Sequence, residues 1–269
     1  MKNIFLDRGC LRGDRVVVEG GYFHYLAHVR RLKRGSRVSA VIGDWRYDLA
    51  VSEVGVAAIS FEILDSSRAV CPSPCAIHVY QGLLKANKLD LVVAKLSELG
   101  VRELVLLETE RAVPDSSIQT GRMERWGRLV REGAKVSGVE RLMELRGPVP
   151  LPGIEGFQGA AERTAPRKIG DGETVLVFCP GAGHRHVREA LDTLPAGETV
   201  RYDLFFGPEG GFSDMEIEML VGIGGITVSL GDFVLRSETA AVVGAGFIRV
   251  YGGRGTESTC KDTDSTACP

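Results

Sequence analysis

The sequence predicts an α/β protein in which a small N-terminal β-barrel-like domain, residues 1–70, precedes a larger domain, residues 71–252, built on a mostly parallel sheet. Three observations predict it. Up to Leu64, short β-branched runs alternate with Gly and Asp turns. Beyond residue 75 the rhythm becomes strand, helix, strand, the pattern of a parallel sheet covered on both faces. The chain has 269 residues and is 44% hydrophobic, ample for a buried core.

In the first part, "DRVVVEGG", "SRVSAVIGDWRYDLAV" and "AAISFEIL" read as strands. Between the first two, "GYFHYLAHVRRLKRG" has helical spacing, with Tyr22, Leu26 and Val29 along one face. The Ser- and Pro-rich "DSSRAVCPSPC", 65–75, reads as a linker. Then "AIHVYQGLL" is a strand, Asn87 caps a helix that ends at Gly100, and "RELVLLE" is the next strand, which makes a βαβ unit. "GRMERWGRLVREGAKVSG" is an amphipathic helix, "TVLVFC" a strand, "RHVREALDTL" a helix and "YDLFFG" a strand. A helix within 214–222, a strand "GITVSLG" and a helix from Ser237 to about Tyr251 complete the domain. Residues 253–269 hold almost no apolar side chains and read as a disordered tail.

Composition narrows the function. No stretch approaches the roughly 18 consecutive apolar residues of a membrane span, and "MKNIFLDRGC" has neither the apolar core nor the cleavage site of a signal peptide. A cytoplasmic location without membrane attachment is expected. The six cysteines are unevenly spaced, which points to reduced thiols. Cys71, Cys75 and His78 offer three ligands without a fourth in register, so no metal is expected. The net charge of −2 conceals an asymmetry: residues 1–70 carry +3, residues 71–170 +3 and residues 171–269 −8. The chain is therefore no general nucleic-acid coat, while its first part offers a local surface for an anionic partner.

Three loops follow strands at what should be one sheet edge: "CPGAGHRH" (179–186), "GPEGG" (207–211) and "LGDFVLRSET" (230–239). Ligands of open α/β sheets bind there. In "GPEGGFSDME" the glycines let backbone approach a ligand, and Ser213 with Glu216 forms a capping box. A phosphate loop would carry a lysine and a bare helix N-terminus. This one carries Glu209, Asp214 and Glu216, which suit a neutral or cationic ligand such as an adenosyl sulfonium. Arg236 stands just before the last helix, where the dipole gives an arginine nothing. Its alternatives are a functional role or an ion pair with Glu238. His184 and His186 are read as polar residues opening a helix. In "HVRRLKRGSR", the five basic residues Arg30, Arg31, Lys33, Arg34 and Arg37 occur without an acid, near Tyr22, Tyr25 and Trp45, as in a patch that reads an RNA backbone. Lys85 and Lys88 are further candidates for RNA phosphates.

The motifs "GPEGGFSDMEIEML" and "LGDFVLRSETA", with "GLLKANKLDLVVAKLSELGV" upstream and "HYLAHVRRLKRGSRV" near the start, resemble the RsmE family of 16S ribosomal RNA uridine N3-methyltransferases in the SPOUT superfamily. The resemblance implies a PUA-like N-terminal RNA-binding domain and a C-terminal sheet closed by a deep trefoil knot, a topology that general folding rules would not suggest. It implies S-adenosylmethionine as cofactor, held by Phe206, Gly207, Pro208, Glu209, Gly210, Gly211, Ser229, Leu230, Gly231, Val234, Leu235, Arg236 and Thr239. It also implies a homodimer acting on small-subunit rRNA or the assembled 30S particle, with Arg236 and Glu238 as the catalytic pair, and it gives the small-residue helix from Ser237 a role in dimerisation. The chain departs from the family where Phe233 replaces an arginine and where Val136 and Val139 replace polar residues. Those departures motivate a second reading, a non-catalytic RNA-binding or ribosome-assembly factor on the same scaffold.

Overall fold

A computed structural model describes residues 4–69, 75–112, 120–151, 172–181, 183–194 and 201–252. The tail from 253 and the linker residues 70–74 lie outside them. The chain forms two compact units, Met1–Pro72 with Ala134–Leu142, and Ser73–Gly133 with Met143–Pro269. Nothing in the sequence pattern had assigned 134–142 to the first.

The first unit is a six-stranded sheet. Its strands are β1 (Ile4–Leu6), β2 (Leu11–Arg12), β3 (Arg15–Glu19), β4 (Arg37–Ile42), β5 (Trp45–Val54) and β6 (Ala58–Arg68), in the order β1-β4-β5-β6-β3-β2. All pairings are antiparallel except β1 with β4. One face buries Ile4, Val16, Val18, Val38, Leu49, Ile59 and Phe61 under Phe23 and Leu26. On the other, Phe5 and Val41 pack with Ala134, Val139 and Leu142. Val139 is thus a packing residue, whereas Val136 is 71% exposed.

Two expectations are corrected in this unit. The predicted single helix is one turn of α-helix, α1 (Gly20–His24), that widens into a π-helical turn over Tyr25–Val29, closed by Arg30 N–H on the Tyr25 carbonyl. The wider turn seats Leu26 in the core and rotates Val29 out to solvent. The supposed linker residues Asp65–Arg68 continue β6 by pairing with Trp45–Asp48. Backbone hydrogen bonds extend that hairpin past the point where its apolar alternation stops.

The second unit is a seven-stranded, wholly parallel sheet of β7 (Ala76–Gly82), β8 (Glu103–Glu108), β9 (Glu144–Pro150), β10 (Glu173–Phe178), β11 (Arg185–His186), β12 (Arg201–Phe206) and β13 (Ile226–Ser229). Their order is β11-β13-β10-β12-β7-β8-β9. Side chains alternate between faces as the pleat requires. Val105, Leu107, Val175, Val177 and Phe205 form one core with Phe212 and Leu220, the latter from α5 (Asp214–Gly222). On β12 and β7 also rests α6 (Ser237–Tyr251), itself against α2 (Ala86–Glu98). The remaining helices are α3 (Thr120–Ser137) and α4 (Val187–Asp192).

The small residues of α6 have a reason within the chain. A Cβ on Gly244 would lie 2.7 Å from the Phe206 ring and 3.2 Å from Phe178, rings that stack at 4.4 Å, and Ala241 and Ala245 are fully buried. The helix must ride directly on those aromatics. Farther along it, Arg249 donates to the carbonyls of Leu99, Gly100 and Cys75, so its guanidinium satisfies the C-terminal end of α2.

Three local readings also change. Lys85, not Asn87, occupies the N-cap of α2. His186 ends the short β11 and caps α4, its Nδ1 accepting from the Arg188 N–H at 3.1 Å, so the predicted helix starts at Val187. The strand β9 carries no clear apolar alternation, being half exposed along its length, and had not been predicted.

Toward the start of the strands, Arg201 bonds Asp203 through two nitrogens and also the Tyr80 hydroxyl, while His78 pairs with Glu103 at 3.0 Å. Tyr80 stacks on Phe205 at 4.4 Å. Burial, then the nearby Asp203 charge, pushes the Tyr80 phenol up to about 12 from 10.0. Because the folded-state value is raised, the neutral phenol contributes stability that is complete below pH 10.0 and is lost as pH rises toward about 12. Urea midpoints across that range should therefore fall more steeply for the wild type than for Tyr80→Phe; parallel curves would contradict the assignment.

Candidate cofactor cavity

The ends of β10, β12 and β13 deliver three loops to the same edge of the sheet, and a cavity of about 410 Å³ opens among them. Its apolar wall is Phe178, Phe206, Leu230, Val234 and Leu235; its backbone wall is Gly207–Pro208, Gly211 and Gly231. Gly231 (φ 115°) and Gly211 (φ 71°) hold conformations that a side chain would strain.

The loop after β12 is fixed from behind by a buried polar junction. Gln81 Nε2 lies within hydrogen-bond distance of the carbonyls of Gly82 (3.0 Å) and Gly207 (3.2 Å) and of Ser237 Oγ (2.9 Å). The Ser237 hydroxyl itself donates to the Gly207 carbonyl. One oxygen thereby ties the end of β7, the glycine loop and the first residue of α6. Close packing demands glycine here: a Cβ on Gly82 would fall 2.6 Å from Pro208, and one on Gly207 2.8 Å from the Phe212 nitrogen.

The electrostatics differ from those the sequence suggested. Lys88 Nζ lies 3.0 Å from Glu209 and 3.7 Å from Glu238, and it lines the cavity. Burial alone would raise the Glu209 carboxyl, but the hydrogen bond and charge of Lys88, with backbone N–H groups, hold it below its ordinary value. Glu216 is buried and closes the capping box of α5: its Oε2 accepts from Ser213 N–H, its N–H donates to Ser213 Oγ, and its Oε1 accepts from Glu110 N–H. The loop is therefore not a bare acidic surface. A polyphosphate is still disfavoured there, because Glu216 occupies the helix N-terminus that would bind it.

Arg236 lines the cavity, is exposed, and forms no ion pair among the described residues. The anticipated alternative, a pair with Glu238, does not form; Glu238 turns to Lys88, and its Oε2 is buried without a hydrogen bond. Of the other expected cofactor residues, Gly210, Ser229 and Thr239 do not line the cavity. The Gly210 carbonyl faces Arg111, Ser229 Oγ bonds the His184 carbonyl, and Thr239 points to solvent.

Of the loop 179–186 the sequence singled out only His184 and His186, yet Cys179 and Pro180 line the cavity, together with Ser237 and Ala240 of α6. Gln81 had one available signal, a lone amide in line with Ile77 and Val79 on the buried face of its strand. His78 is committed to Glu103, Cys75 is buried with its carbonyl accepting from Arg249, and Cys71 lies outside the described residues. In the first unit Arg30, Arg31, Lys33, Arg34 and Arg37 are all exposed, and among the described residues none forms an ion pair. Lys85 is exposed, and Lys88 is engaged as described.

Because Gln81 and Ser237 share one acceptor, Gln81→Leu and Ser237→Ala should each destabilise by about 1–3 kcal/mol. Their effects should be coupled by about 0.5–3 kcal/mol in a double-mutant cycle read by chemical denaturation. Additive effects would mean that the junction is not a unit.

The family of RNA methyltransferase domains matches residues 71–249. Ribosomal RNA small subunit methyltransferase E of Mycobacterium bovis is 28% identical over 262 residues, 94% of each chain, and that of Bacillus subtilis is 26% identical over 234 residues, 83% of this chain and 85% of its own. A Legionella pneumophila protein assigned as a methyltransferase and solved with the cofactor SAM superposes with a TM-score of 0.72 at 26% identity, covering 93% of this chain and 97% of that one. Ribosomal RNA small subunit methyltransferase E of Neisseria gonorrhoeae, solved with S-adenosyl methionine, shares the fold with a TM-score of 0.73 at 19% identity over the same shares. The chain belongs to the RNA methyltransferase family, with the RsmE proteins.

Proposed function

We propose that the protein uses S-adenosylmethionine to methylate N3 of a uridine in small-subunit (16S) ribosomal RNA, free or within the 30S particle. The observation that carries this reading is the cavity itself, with apolar side chains and glycine backbone on its walls and an unpaired arginine at its edge. Its volume of about 410 Å³ falls in the range of small-molecule sites. The donor set fits an adenosyl group: Phe206, Leu230, Val234 and Leu235 would hold its apolar parts, and the backbone of Gly207–Gly211 and Leu230–Gly231 its polar edges. The relatives of known structure that carry this cofactor support the same assignment.

When bound, S-adenosylmethionine supplies an electrophilic methyl group on a positively charged sulfur. The protein's part is to make N3 a nucleophile. N3 must lose its proton, and the resulting charge spreads onto the two flanking carbonyl oxygens. Arg236, exposed at the cavity, is placed to stabilise that charge. Glu238 lies outside the cavity lining, and its role as proton relay runs through Lys88, which lines the cavity and stands 3.7 Å from its Oε2. The intact cavity and arginine favour transfer over a non-catalytic factor.

The finer architecture belongs to the same proposal. The first unit acts as a PUA-like RNA-binding domain, supported by the exposed Arg30, Arg31, Lys33, Arg34 and Arg37. The C-terminal segment threads a trefoil knot, supported by the path from β13 past β10 and β12 to an α6 seated on β12 and β7. The working form is a homodimer in the cytoplasm, supported by exposed Val243 and Val250 on α6; among the described residues no helix is long and apolar enough to cross a membrane.

Arg236→Ala should lower the methyl-transfer rate on 30S particles by about 100-fold or more, with affinity for S-adenosylmethionine little changed by calorimetry. Full transfer by that variant would remove Arg236 from the chemistry.

A further inference from the structure

We infer that Phe233 is the stacking platform for the target base, an inference that rests on the methyltransferase reading above. The ring lines the cavity yet is 86% exposed, and its neighbour Val234 is 74% exposed. It sits on the loop that begins at Gly231, whose φ of 115° suits glycine alone, and ends at Arg236. The two other aromatic rings of the cavity, Phe178 and Phe206, are buried and stacked on each other at 4.4 Å and 15°. Among the cavity-lining residues described, Phe233 is therefore the aromatic with a free face.

The chemistry requires such a face. N3 lies on the edge of uracil used for base pairing, so the base must be unpaired and held away from its neighbours before it reacts. An extruded base loses its stacking partners, and an aromatic side chain restores one. Stacking on Phe233 occupies only the flat side of the ring. The N3–H and both carbonyl oxygens stay open to Arg236, which lines the same cavity. Phe233 then contributes affinity for the base, and Arg236 reads and stabilises its edge.

The test compares wild type with Phe233→Ala, Phe233→Leu and Phe233→Trp, using labelled S-adenosylmethionine and 30S particles from cells lacking the protein. Calorimetry with S-adenosylmethionine and light scattering accompany each variant. The Ala and Leu variants should raise KM for the particle by about 5- to 150-fold, with a smaller change in kcat and unaltered cofactor affinity and mass. The Trp variant should stay close to wild type. Leu behaving like wild type would overturn the inference, because apolar packing would then suffice. A loss that follows a change of oligomeric state assigns Phe233 to a second copy of the chain, and one that follows cofactor affinity assigns it to the cofactor wall; either overturns it. Wild-type protein that neither binds S-adenosylmethionine nor transfers methyl groups fails the underlying reading, and the inference with it. Wild-type transfer with an unaffected Leu variant fails the inference alone.

Discussion

The carbonyl oxygen of Gly207 is the point on which the site depends. It accepts from both Gln81 and Ser237, and so fastens the end of β7, the glycine loop after β12 and the start of α6 to one another. Without that junction the last helix would have no fixed start, and the segment from Leu230 to Arg236 would have no anchored end. The glycines at 82 and 207 follow from the same constraint, since a side chain at either would collide with backbone. Gly244 satisfies its counterpart farther along, where α6 lies on the Phe178–Phe206 stack.

From this anchoring the site's electrostatics follow. Lys88 projects from α2 to the loop and to the first turn of α6, which leaves Glu209 neutralised and Glu238 beside a cation. Arg236, at the N-cap, accepts from the Ala240 N–H through its carbonyl, while its side chain forms no ion pair among the described residues. The cavity thus has Lys88, Arg236 and the Glu209 carboxylate at its edge, with Glu238 paired to Lys88 outside the lining, and its walls are apolar. Selectivity for an adenosyl group comes from shape, apolar lining and a closed helix N-terminus more than from unpaired acid.

Much of this was legible in the chain. Apolar alternation marked the central strands, and the S-x-x-E capping box fixed the start of α5 where it occurs. The strand-loop motifs located two walls of the cavity. What could not be read were relations between distant residues. The Lys88–Glu209 pair spans 121 positions and the Gln81–Ser237 bond 156, and no local pattern reports either. The same reason explains why β9, half exposed and poor in alternation, went unseen, and why Val29 looked like core until a π-helical turn rotated it outward.

Hydrogen–deuterium exchange of the full chain with and without S-adenosylmethionine tests the central claim most directly. The account predicts that protection on binding concentrates in Gly207–Gly211 and Leu230–Ser237, with the surface around Arg30–Arg37 unchanged. Binding without protection of those two loops, or protection centred elsewhere, would contradict it.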